Sequence, residues 1–186
     1  MTIPNILTLL RIAAIPFLVL FFYMPVSFSH ILTAGIFALA SLTDWLDGYL
    51  ARYWHQTSSL GEFLDPVADK LIVAVALVLL VGEQQLPYLS IPAAIIVGRE
   101  IVISALREWM AELGKRASVA VSYVGKIKTF IQMLSLFFLL LYKPGVNEYI
   151  GIIGYFLIYI AAIMTLWSMI MYLRAAWPQI SVSMNS

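Results

Sequence analysis

Hydrophobic positions run in long blocks along this chain, with the polar positions gathered between them. Residues 12 to 29, IAAIPFLVLFFYMPVSFS, and 149 to 173, YIGIIGYFLIYIAAIMTLWSMIMYL, carry no charge. Both are long enough to cross a hydrocarbon core of about 30 Å, and they predict a first and a sixth spanning helix. The first lacks the small-residue cleavage site and short apolar core of a signal peptide, so it is expected to be retained. Four shorter apolar runs lie between, over 31–43, 71–82, 84–98 and 129–142. Each ends on one side at a charged residue: Asp44, Lys70, Arg99 and Lys128.

The one-sided stops set a depth. A helix covers about 20 Å in the 13 residues from Ile31 to Thr43, short of the roughly 30 Å core, which leaves Asp44 inside one leaflet. The run that begins at Leu71 leaves Asp65 and Asp69 at a similar depth, so the charges form one layer. Arg52, Lys115, Arg116, Lys126 and Arg174 fall on the same side as the aspartates, whereas the opposite loops offer only Lys143. Lysine and arginine concentrate in cytoplasmic loops, so the layer faces the cytoplasm. The fold class expected is therefore an all-α integral membrane protein, one domain over 1–186, with six transmembrane helices and both termini cytoplasmic. The N-terminal TIPNILTLLR, with Pro4 near a helix start, is expected to form a short interfacial segment. Trp54, Tyr88 and Trp177 read as interfacial anchors.

Composition agrees and narrows the chemistry. Hydrophobic residues make up 62% of the chain and charged residues 11%, against about 45–50% and 25% in ordinary soluble domains. A net charge of +1 supplies no basic surplus, and no nucleic-acid partner is expected. Without cysteine there are neither disulfides nor thiolate metal sites. Chemistry has to come from carboxylates, amines and hydroxyls.

The carboxylates are concentrated in DWLDGYLARYWHQTSSLGEFLDPVADK, residues 44–70. Helical spacing puts Asp44, Asp47, Gly48 and Ala51 on one face with Arg52 at its edge, and Ser58, Gly61, Asp65 and Asp69 on one stripe of the next helix. Four carboxylates at low dielectric must bind protons or cations. Two hard divalent cations, Mg2+ or Mn2+, suit an all-oxygen set, since neither His30 nor His55 lies in the stripe. Gly48 and Ala51 leave room for a close approach, and also suit small-residue helix packing. A single intramembrane aspartate is commonly a salt-bridge partner, for which Lys70, Arg99 and Arg107 are available; four at these spacings are not explained that way. Buried carboxylates also line ion pathways, so a divalent-cation transporter is the rival from another class. The almost wholly apolar far halves of helices two, three and five speak against it.

Read as D, two residues, DG, two residues, AR, eight residues, G, three residues, D, three residues, D, this stretch resembles the signature of the CDP-alcohol phosphatidyltransferases. Asp44, Asp47, Gly48, Ala51, Arg52, Gly61, Asp65 and Asp69 fill every fixed position. PNILTLLR, FLDPVADK, GREIVISALREWMAELGKR and GKIKT are similar to the bacterial branch whose acceptor is glycerol 3-phosphate; other branches take inositol phosphate or serine. The resemblance implies that Asp44, Asp47, Asp65 and Asp69 hold two divalent cations on the diphosphate of CDP-diacylglycerol. It implies that Asn5, Thr8, Gly48, Ala51, Arg52, Ser58 and Gly61 bind that donor, and that Asp69 is the general base. A phosphorylated acceptor needs cations, for which Arg107, Lys126, Lys128 and Arg174 are the candidates. Membrane lipids, a homodimer and a bacterial inner-membrane location, with the site in the cytoplasmic leaflet, complete what the resemblance implies.

Overall fold

A chain this apolar satisfies its backbone hydrogen bonds most readily within helices. The computed structural model describes residues 3–54, 59–83, 86–112 and 123–183, and the side chains of 3–4, 45–54, 59–60, 62, 111, 123–124, 175–176 and 178–183 fall outside that description. All elements among the described residues are helical: α1 Ile3–Tyr23, α2 Ser29–Trp54, α3 Ser59–Val81, α4 Ser90–Glu112, α5 Tyr123–Leu141 and α6 Glu148–Ser183. Two stretches, Asn5–Tyr23 of α1 and Glu148–Arg174 of α6, are long and apolar enough to cross a membrane. The other four helices carry the charged groups at one end, and those charges interrupt their apolar runs.

The packing is apolar at the centre and, unusually, apolar outside as well. Leu18, Phe37, Ile72, Leu77, Leu80, Ile96, Leu136 and Ile158 are buried in one cluster. Phe17, Leu39, Val78, Phe130, Phe156 and Trp167 are exposed, while Asn5, Thr8, Arg11, Lys128, Gln132 and Ser168 are buried. Burying polar groups and exposing aromatic ones fits a molecule whose solvent is lipid.

Helix α1 packs against α2 and α3, α4 against α6, and α5 against α2 and α6. The α5–α6 seam is closed by a glycine: a Cβ on Gly154 would lie 3.0 Å from Leu139 Cγ and 3.1 Å from the Leu139 backbone nitrogen. Ser135 Oγ donates to the Gly154 carbonyl at 2.8 Å across it. Small residues allow this approach, and the hydrogen bond adds to it.

The helix ends opposite the aspartates are tied together by their loops. Asn147 accepts from the Lys143 amide at 2.6 Å and donates to the Leu141 carbonyl at 3.1 Å. Gly145, at φ 76°, turns the chain there, and its amide donates to Glu148 at 2.6 Å. Tyr155 donates to the Pro87 carbonyl, and Tyr159 to that of Tyr88 at 3.1 Å. With these loops at one end, Arg11 of α1 and the cavity-lining charges of α2, α3, α4 and α5 come together away from them.

Two expectations are revised. The N-terminal segment is no separate element: residues 3–11 are the first turns of α1, because Asn5, Thr8 and Arg11 share a face that is buried against the bundle. Helix α4 starts at Ser90 and not at 84, because residues 86–89 form a turn, with Tyr88 at φ 61°. Leu86 and Leu89 of that turn are buried, which is why it reads as part of an apolar run.

Candidate active site

The site is built around the polar stripe of α1. Asn5, Thr8 and Arg11 recur every third residue, so they lie along one side of the helix, and none is more than 5% exposed. Thr8 Oγ1 donates to Asp65 Oδ1 at 2.5 Å. One guanidinium nitrogen of Arg11, Nη1, reaches Asp44 Oδ1 at 3.0 Å and also bonds Asp69 Oδ1. Three helices are thereby joined through their polar groups, with Asp44 supplied by α2 and Asp65 and Asp69 by α3.

Burial is unequal across the ion pairs. The Arg11 side chain is 1% exposed, against 39% for Asp44 and 38% for Asp69. The arginine is therefore on the protein side of the carboxylates, and both carboxylates line a cavity of about 650 Å³ between α2, α3, α4, α5 and α6. Lys70, Arg99, Arg107 and Lys128 line the same cavity. Its deeper wall is apolar, with Val73, Ile96 and Met133. Acidic groups thus face basic ones over a floor of hydrocarbon.

The basic wall has its own order. Glu100 accepts from Arg99 at 2.8 Å and from Lys128 at 3.2 Å, and Arg99 reaches Ser168 Oγ at 3.4 Å. Arg107 lies 5.4 Å from the centre of the Tyr172 ring and donates to its hydroxyl at 3.1 Å. Lys70 donates to Ser104 at 2.5 Å. A second crevice, of about 420 Å³, lies at the opposite end against Tyr142, Glu148 and Tyr155; it contains none of these groups.

The expected site residues divide as follows. Asp44, Asp65 and Asp69 are brought together with Asn5 and Thr8, and Gly61 is buried nearby on α3. Asp47, Gly48, Ala51 and Arg52 belong to the α2 backbone, with side chains outside the described residues; Ser58 lies wholly outside them. Arg107 and Lys128 line the cavity, and Lys128 is already paired with Glu100. Lys126 and Arg174 are exposed at the same end and are not among its lining residues. Sequence reasoning missed Arg11 and gave Arg99 and Glu100 only a structural role. The signal for Arg11 was a lone cation three residues after Thr8 and next to an uncharged run, where ionisable groups need a partner.

Among the described residues no three carboxylate or imidazole groups form a metal cluster as they stand. The donor set nonetheless fits hard divalent cations. Asp44 and Asp69, on different helices, already turn one oxygen each toward a shared cationic nitrogen.

The family model for CDP-alcohol phosphatidyltransferases matches residues 1–171. The chain belongs to the CDP-alcohol phosphatidyltransferases. Its relatives in this family include proteins named CDP-diacylglycerol–glycerol-3-phosphate 3-phosphatidyltransferase. The one from Escherichia coli (strain K12) is 54% identical over 175 residues, covering 94% of each chain. That from Shigella flexneri serotype 5b (strain 8401) matches equally, and that from Pectobacterium atrosepticum is 55% identical over 174 residues with the same coverage. As a CDP-alcohol phosphatidyltransferase, the chain carries its family signature on the two helices, α2 and α3, that line the acidic wall.

Proposed function

We propose that the chain transfers the phosphatidyl group of CDP-diacylglycerol to glycerol 3-phosphate, releasing CMP, in the cytoplasmic leaflet of a bacterial inner membrane. The observation that carries this reading is the shared cavity, where Asp44 and Asp69 face Arg99, Arg107 and Lys128. One wall suits cations on a diphosphate and the other an anionic acceptor. The name common to relatives that match over 94% of the chain supports the choice of glycerol 3-phosphate. Six spanning helices with cytoplasmic termini, and pairing into a homodimer, belong to the same proposal. The charges that gather around the cavity, from α1 to α5, lie on one side of the bundle, which supports that topology.

Asp44, Asp47, Asp65 and Asp69 would hold two divalent cations, Mg2+ or Mn2+. When bound, these supply charge neutralisation for the diphosphate and for the departing CMP. Thr8 fixes one oxygen of Asp65 through its hydroxyl. Asn5 and Thr8 on α1, with Gly48, Ala51, Arg52, Ser58 and Gly61, hold the cytidine end of the donor. Arg107 binds the acceptor phosphate, steadied by the Tyr172 ring, while exposed Lys126 and Arg174 raise the local concentration of anions. Lys128 keeps Glu100 neutralised and adds positive potential. Asp69 takes the proton of the acceptor's 1-hydroxyl, the freed oxygen attacks the β-phosphorus, and the bond to the CMP oxygen breaks. The apolar floor seats the acyl chains, so the lipid enters sideways while the acceptor enters from water.

An acceptor panel tests this. Purified protein with CDP-diacylglycerol and Mg2+ or Mn2+ is expected to release CMP with glycerol 3-phosphate and not with inositol phosphate or serine. Faster release with either alternative would reassign the acceptor. Metal flux across proteoliposomes without CMP release would instead favour the transporter.

A further inference from the structure

We propose that Arg11 holds Asp44 and Asp69 together and competes with divalent ions for the same carboxylate oxygens. The inference rests on the two-cation reading above and adds to it a residue of α1 outside the signature. Its basis is the position of one atom. Arg11 Nη1 lies 3.0 Å from Asp44 Oδ1 and also bonds Asp69 Oδ1, so a single positive centre bridges carboxylates from two helices. A divalent ion joining those two oxygens would need the same place.

Burial makes the contact consequential. With the arginine side chain 1% exposed, its charge is poorly screened by solvent. Removing it would leave two partly exposed carboxylates close together with no shared cation between them, so the fold loses stability in chelator. A divalent ion entering the intact site must displace or face a fixed positive charge, which weakens its binding. Ligand orientation lost with the arginine works in the opposite direction, since outer partners of metal ligands are worth about 10–100-fold in affinity. Here the arginine contacts the ligand oxygens themselves, so repulsion and displacement dominate.

The test measures metal binding and stability together, on the full chain in detergent without donor or acceptor. Mn2+ is titrated by paramagnetic resonance, and thermal unfolding is followed in chelator. Arg11→Met, similar in length but uncharged, is expected to bind Mn2+ at least about ten-fold more tightly than wild type while unfolding at a lower temperature in chelator. Arg11→Lys, which keeps a charge but loses the fork, should fall between the two on both measures. A merely structural arginine would move both quantities the same way, with weaker Mn2+ binding alongside lower stability. That outcome, or unchanged Mn2+ affinity, overturns the proposal. Should Arg11→Met fail to fold, Arg11→Lys decides: tighter Mn2+ binding than wild type supports competition, and equal or weaker binding refutes it. If wild type binds no Mn2+ at all, the two-cation reading fails first and the inference with it.

Discussion

We propose that the reaction turns on Asp69, which already has two relationships. It accepts from Arg11 on one side and lines the cavity on the other. Asp69→Asn keeps the shape and one oxygen but removes the proton acceptor. We expect donor binding to persist while single-turnover transfer falls by about 10²-fold or more; measuring both in one sample checks it, and a near wild-type rate would make Asp69 a ligand only. Arg107, like Lys70, is a cavity cation with no carboxylate partner among the described salt bridges, and it has Tyr172 as its support. Charge-assisted hydrogen bonds contribute about 1.5–3 kcal/mol, so Arg107→Ala should raise the apparent KM for glycerol 3-phosphate roughly ten-fold or more. Donor affinity should hardly change; a selective loss of donor binding would contradict the assignment. At this scale the aspartates were legible because carboxylates in apolar sequence stand out. Arg11 was not, since its partner Asp69 is 58 residues away and no local spacing joins them.

At the scale of helices, the apolar blocks marked the elements well and their ends poorly. Helix α2 runs on to Trp54, well past the end of its apolar run at Thr43. Helix α4 continues to Glu112, past Arg99. A charge ends an apolar run without ending a helix when it has a carboxylate, hydroxyl or cavity to face, and several of those partners, such as Arg11 for Asp44 and Ser168 for Arg99, belong to other helices. The tight α5–α6 seam was likewise invisible, because a glycine in an apolar run does not say which neighbour it approaches. Gly154→Val tests the seam. Its side chain would meet Leu139 at side chain and backbone, where no rotamer change relieves the contact, so about 1–3 kcal/mol of stability should be lost. The measurement is thermal unfolding in detergent; an unchanged midpoint would mean that the helices separate without cost.

For the molecule as a whole, one end carries the charged cavity and the other is tied by loops. That polarity was readable from charge, since depth and positive-inside counts depend only on sequence order. The cavity was not readable, because it needs five helices placed around one space. Orientation can be checked directly in a chain without native cysteine. Val146→Cys, in the exposed loop between α5 and α6, should react with an impermeant maleimide on intact cells. Glu112→Cys, exposed at the charged end of α4, should react only after the membrane is opened; the reverse pattern would invert the topology. The most direct test of the central claim, cation-dependent phosphatidyl transfer at the carboxylate layer, is a stoichiometric one. Purified protein in proteoliposomes receives CDP-diacylglycerol and labelled glycerol 3-phosphate, and CMP and lipid-soluble label are counted together. They should appear in equal amounts, vanish in chelator, return with Mg2+ or Mn2+, and stay absent in Asp44→Asn and Asp65→Asn. Full transfer in chelator, or by either variant, would contradict the account.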